Sequence, residues 1–115
     1  MFIINGCYWD HPPVPEPIDP ATVSFQGHIL PILESKCATS FCHDGTKNPD
    51  LRADVAYNNI KADGLINTTF PAESGLYKTV EWLPGIDPMP PGGPQISEKD
   101  RVLILAWIEG GARNN

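Results

Sequence analysis

The stretch Cys37-Ala38-Thr39-Ser40-Phe41-Cys42-His43 decides how the rest of the chain is read. It puts two thiols and an imidazole within seven residues, and the imidazole directly follows the second thiol. Thiols add across the vinyl groups of a porphyrin, and a histidine beside the second thioether then lies under the iron. The usual form of that motif has two residues between its cysteines. Here four, Ala38 to Phe41, stand between them. Two other readings use the same residues. Cys37 and Cys42 would pair as a disulfide, or they would bind zinc with His43 and a fourth ligand such as His28. Structural zinc sites favour four ligands in paired short spacings. The remaining cysteine, Cys7, lies far away in a proline-rich segment.

Outward from the motif, the chain supplies elements on both sides. Upstream, Ser24 is a helix N-cap candidate. Ile29, Leu30, Ile32 and Leu33 follow at helical spacing. Pro31 is awkward inside such a helix. The helix is therefore expected either from about Gln26 with a kink or from nearer Leu30, ending around Lys36. Downstream, residues 44–50 are turn formers throughout. Asp44 reads as a solvated loop residue there. Leu51 to Lys61 is expected to form a short helix stopped by Asp63-Gly64, and Leu65 to Phe70 to be extended. Pro71-Ala72-Glu73-Ser74 resembles a helix start. Leu76, Tyr77, Val80 and Trp82 then mark a short amphipathic helix. Trp82 and Trp107 are candidates to line a cofactor, although tryptophan in a core of this size is ordinary.

Residues 84–94 read Pro-Gly-Ile-Asp-Pro-Met-Pro-Pro-Gly-Gly-Pro. No regular element survives that density of proline and glycine, and a long loop in a small domain is functional or disordered. Its single methionine, Met89, sits between prolines that restrict the backbone. A thioether is a soft ligand that suits haem iron. Methionine is more commonly core filler, but a loop of this kind lies on the surface. His28 and His11 are the rival distal ligands. Ser97-Glu98-Lys99-Asp100 has the form of a capping box, and Val102 to Ile108 is almost continuously apolar. This last helix is expected to be buried over most of its surface, with Gly110-Gly111 stopping it.

The 115 residues suffice for one domain and one core, and 13 prolines with 10 glycines make much of it loop. The net charge of −6 and the lack of a basic patch speak against nucleic acid. An acidic carrier fits a basic partner surface, with steering that weakens as salt rises. No apolar run reaches the roughly 18–20 residues of a membrane span. The start, Met1-Phe2-Ile3-Ile4-Asn5-Gly6-Cys7, resembles the tail of a bacterial lipoprotein signal without its charged and full hydrophobic regions. Cys7 is then the lipidated residue and the membrane anchor; otherwise it is a free thiol on a tail. The cluster Pro12, Pro13, Pro15, Pro17 and Pro20 reads as a semi-rigid spacer, or as an arm packed on the domain. The organisation expected is a signal remnant and spacer over 1–22 and a folded domain over 23–115.

Several of these residues together carry a family resemblance. They are Ile29-Leu30-Pro31-Ile32-Leu33, Cys37 to His43, Ser74-Gly75-Leu76-Tyr77, Met89-Pro90-Pro91, Ile96-Ser97, Ala106-Trp107-Ile108 and Gly111-Ala112. From about Val23 to Ala112 the chain resembles monohaem c-type cytochromes, and most of all the small domains of lipoproteins from Bacteroidetes and related bacteria. That resemblance implies an all-α, cytochrome c-like fold of three to five short helices around one haem, with long irregular loops. It also implies terminal helices that cross, and one covalent haem c on Cys37 and Cys42. The axial ligands it implies are His43 (proximal) and Met89 (distal). The four-residue spacing departs from the common motif and bears on local backbone geometry and maturation. The expected function is electron transfer to redox partner proteins, with no catalysis, in an exported, periplasmic or cell-surface protein. The rival reading is a non-redox module in which Cys37, Cys42 and His43 hold zinc or a disulfide. A third, a haem gas sensor, requires a vacant or labile distal position.

Overall fold

The computed structural model of the chain describes residues 18–39 and 42–115. Cys7, His11 and the signal-like segment lie outside the described residues. Among those described there is no strand, so the architecture is all-α. No helix there is long and apolar enough to cross a membrane.

The first helical run, α1, spans residues 25–37. Ser24 caps it by accepting the Gly27 N–H at 2.8 Å, as its position predicts. The run starts a residue earlier than expected and passes through Pro31 without ending. Phe25–Ile29 and Leu33–Cys37 are wound as π-helix, and only Leu30–Ile32 between them is α-helical. Proline lacks an N–H and crowds the preceding turn. A wider i→i+5 ladder on both sides of Pro31 accommodates that crowding.

The second helix, α2 (Ala56–Ala62), is shorter than the periodicity predicts. Leu51 stays outside it, with its N–H on the carbonyl of His43 at 2.8 Å. Arg52 N–H is taken by the Asp50 side chain at 3.1 Å. Residues 65–70 are extended only loosely and pair with no strand. A 3-10 turn, Pro71–Glu73, leads into α3 (Gly75–Val80). The last helix, α4 (Glu98–Glu109), is capped by Ser97, which accepts the Asp100 N–H at 3.1 Å.

The core lies where α1 packs on α4, with α2 and α3 around it. Phe25, Ile29, Leu33, Ile60, Ile104, Trp107 and Ile108 are almost wholly buried, each such side chain stabilising the fold by about 1.5–3 kcal/mol. Phe25, Tyr57 and Trp107 form an aromatic cluster with centroids 5.2–6.3 Å apart. Trp107 therefore belongs to the core, with its indole N–H on the Arg113 carbonyl at 2.8 Å. The spacer expected up to residue 22 joins the fold at its end. Ile18 packs against the core, and a 3-10 turn over Pro20–Thr22 lies against α4.

Candidate functional site

The end of α1 delivers Cys37, and the chain turns back at once. His43 N–H bonds the Cys37 carbonyl at 3.0 Å, which closes the segment into a ring. Cys42 N–H is held by the Thr39 carbonyl, also at 3.0 Å. The two thiols, both free, and the imidazole are thereby brought to one place despite the four-residue spacing. Burial, and then the nearness of Cys42, push the Cys37 thiol up to about 11.

The orientation of His43 is set by the turn that follows. Its Nδ1 lies 2.8 Å from the Pro49 carbonyl oxygen. A carbonyl only accepts, so the proton sits on Nδ1 and the Nε2 lone pair of the neutral ring is left free. Ligating histidines are held in this manner, with the second nitrogen tied to an outer partner. Pro49 is steadied in turn: Asn59 on α2 donates to the Asp50 carbonyl at 2.9 Å, and Arg52 binds the Asp50 carboxylate at 2.6 Å.

Met89, on the loop after α3, lines the same place. Its N–H bonds the Thr79 carbonyl at 3.0 Å, and its carbonyl accepts the Trp82 indole N–H at 2.9 Å. The Thr79 hydroxyl bonds the Asp87 carbonyl, so the last turn of α3 holds the loop at several points. Cys37, His43 and Met89 all line a two-lobed cleft. The smaller lobe, of about 150 Å³, adds Cys42, Lys36, Lys47, Pro90 and Pro91. The larger, of about 280 Å³, is walled by Leu51, Ile60, Leu65, Leu76, Val80 and Ile86. Together the lobes reach the scale of pockets that take a drug-sized ligand, ~300–1,000 Å³.

No protein-family model matches the chain, and no curated protein or solved structure matches it significantly. The reading of the cleft therefore rests on its own residues. Two thiols, an imidazole with its Nε2 lone pair and a methionine line the same cleft, and much of its wall is apolar. Thiol, imidazole and thioether are donor types that could hold a metallocofactor.

His28 is not part of this site. It is exposed on the first turn of α1, where its Nδ1 accepts the Ser24 N–H at 3.0 Å. Along a helix rising ~1.5 Å per residue it lies more than about 10 Å from Cys37. It supplies neither the distal ligand nor the fourth ligand of a zinc site. Among the described residues no group of three or more His, Cys, Asp or Glu side chains is gathered to hold a metal ion. Sequence reasoning missed the Pro49 carbonyl, Thr79 and the indole of Trp82 as supports. Only backbone contacts reveal the first two. The dense turn sequence after His43 and the lone tryptophan before the proline loop were the available signals.

Proposed function

We propose that the chain is a monohaem c-type electron carrier. In this reading the Cys37 and Cys42 thiols each add across a porphyrin vinyl group: a C–S bond forms, and the thiol hydrogen goes to the other vinyl carbon. His43 Nε2 and the Met89 sulfur would hold the haem iron. The observation that carries the reading is the Pro49-held His43 lining one cleft with Met89, Cys37 and Cys42.

When bound, haem supplies an iron that cycles between ferric and ferrous states. The protein's own residues do the rest. Pro49 keeps the proton on Nδ1 and so keeps Nε2 a ligand. The thioether of Met89 raises the potential relative to a second histidine. Leu51, Ile60, Leu76 and Val80 give the larger lobe an apolar wall, which would limit solvent rearrangement when charge changes. If His43 and Met89 both hold the iron, small molecules would be kept off it, as electron transfer rather than gas sensing requires. A lipid on Cys7 would hold the domain at a membrane, where redox partners meet it.

A visible spectrum of native protein tests the proposal. A covalent haem survives denaturation and acid–organic extraction and gives a sharp α-band on reduction. Protein expressed with haem-attachment machinery but carrying no covalently retained chromophore overturns it. Zinc or a disulfide at Cys37 and Cys42 would then become the reading to pursue.

A further inference from the structure

The helices α2, α3 and α4 end in the same way. In each, an N–H two residues past the helix cap returns to a carbonyl in the last turn: Leu65 to Ile60 at 3.2 Å, Leu83 to Lys78 at 3.2 Å and Ala112 to Trp107 at 2.9 Å. This motif needs one residue in the left-handed region, and glycine is its ordinary occupant because it has no Cβ. In α2 and α4 that residue is Gly64 (φ +68) and Gly111 (φ +104). In α3 it is Trp82 (φ +61). A bulky aromatic residue there is an outlier, and such strain persists only where the surroundings over-determine it, often at functional sites.

The indole N–H is what tryptophan supplies there and glycine cannot. It donates to the Met89 carbonyl at 2.9 Å, while the Met89 N–H is held by Thr79 from the same turn at 3.0 Å. The ring also lies against Gly93, where an added Cβ would come within 3.2 Å of Trp82 Cη2. Both polar backbone groups of Met89 are thus fixed from the C-terminal end of α3, by Thr79 in its last turn and by the strained Trp82 just past its cap.

We propose that Trp82 is a positioning residue for Met89: its indole N–H fixes the ligand's backbone so that the thioether is held toward the cleft, and it resists displacement by competing ligands. The inference rests on the reading of Met89 as a haem ligand. Trp82→Phe keeps an aromatic ring and the left-handed backbone but deletes the N–H. Ferric holoprotein is titrated with imidazole while the near-infrared charge-transfer band of Met-ligated haem is followed. The apparent affinity for imidazole should rise by about five-fold in the variant, the factor carried by one net hydrogen bond. A purely structural role would lower resistance to denaturant and leave this titration unmoved. Unchanged imidazole affinity in Trp82→Phe overturns the inference. A wild-type protein with covalent haem but without the band overturns the ligand reading instead. A measurement on unaltered holoprotein covers the case of a variant that does not fold. Deuterium exchange at the Trp82 indole should be slow with Met89 bound and faster at saturating imidazole, and equal rates would overturn the inference.

Discussion

Ser74→Ala tests how the wall of the cleft is held. Ser74 is the residue before α3 and is 1 % exposed. Its hydroxyl does not cap that helix. The oxygen instead accepts the Asn67 N–H at 2.8 Å and donates to the Asn67 carbonyl at 3.3 Å. These bonds fasten residues 65–70 against α3, with Leu76 N–H on the Leu65 carbonyl at 3.1 Å continuing the seam. Leu65 and Leu76 are both cleft wall. Alanine removes both hydroxyl bonds and strands a backbone donor. A stranded buried group costs about 1–3 kcal/mol, and because Asn67 is only half-buried we expect about 2 kcal/mol. With an m-value of about 1–3 kcal/mol/M, the urea midpoint should fall by about 1 M. The thermal midpoint should fall by about 10 °C, from the entropy scale of a domain this size. The measurement is paired urea and thermal unfolding of wild-type and variant protein. A loss below about 0.5 kcal/mol at unchanged m would show that water replaces the hydroxyl and that the seam is held by packing alone.

Three further outcomes are expected, the first two on the proposed haem reading. Protein with both Cys37→Ala and Cys42→Ala should lose its haem to acid–organic extraction, whereas each single variant should keep one thioether; retention in the double variant would refute attachment at these sulfurs. Met89→Ala should abolish the near-infrared charge-transfer band, lower the reduction potential and admit carbon monoxide to the ferrous iron; an unchanged spectrum and potential would place the distal ligand elsewhere. Side-chain and backbone hydrogen bonds from Arg52 hold the Asp50 carboxyl below the ordinary carboxylate range. Its contribution to stability is therefore present above the ordinary carboxylate pKa and lost as pH falls through the lowered value. Arg52→Ala should move the Asp50 titration, followed by carboxyl-carbon NMR, up toward the ordinary value, and an unmoved titration would refute the pairing.

The all-α class, the cap at Ser24, the buried last helix with its Ser97 cap, and the irregular loop around Met89 were legible in sequence. Each depends on chemistry that is local: a hydroxyl before a periodic apolar run, or prolines dense enough to forbid a ladder. The candidate site was legible as residue types, since two thiols, an imidazole and a loop methionine are uncommon side chains in uncommon places. Its supports were not. The Pro49 carbonyl, Thr79 and the Asn67 backbone act through peptide groups that every residue carries, so their role depends on which segments meet. The same holds for His28, whose imidazole qualifies as a ligand on paper but lies on the first turn of α1, bonded to Ser24. Local side-chain chemistry was thus written in the order of the residues. Which turn holds His43 and which tryptophan grips Met89 depended on the backbone path of neighbouring turns, six and seven residues away, and which wall faces the thiols was decided only when segments far apart in sequence packed together.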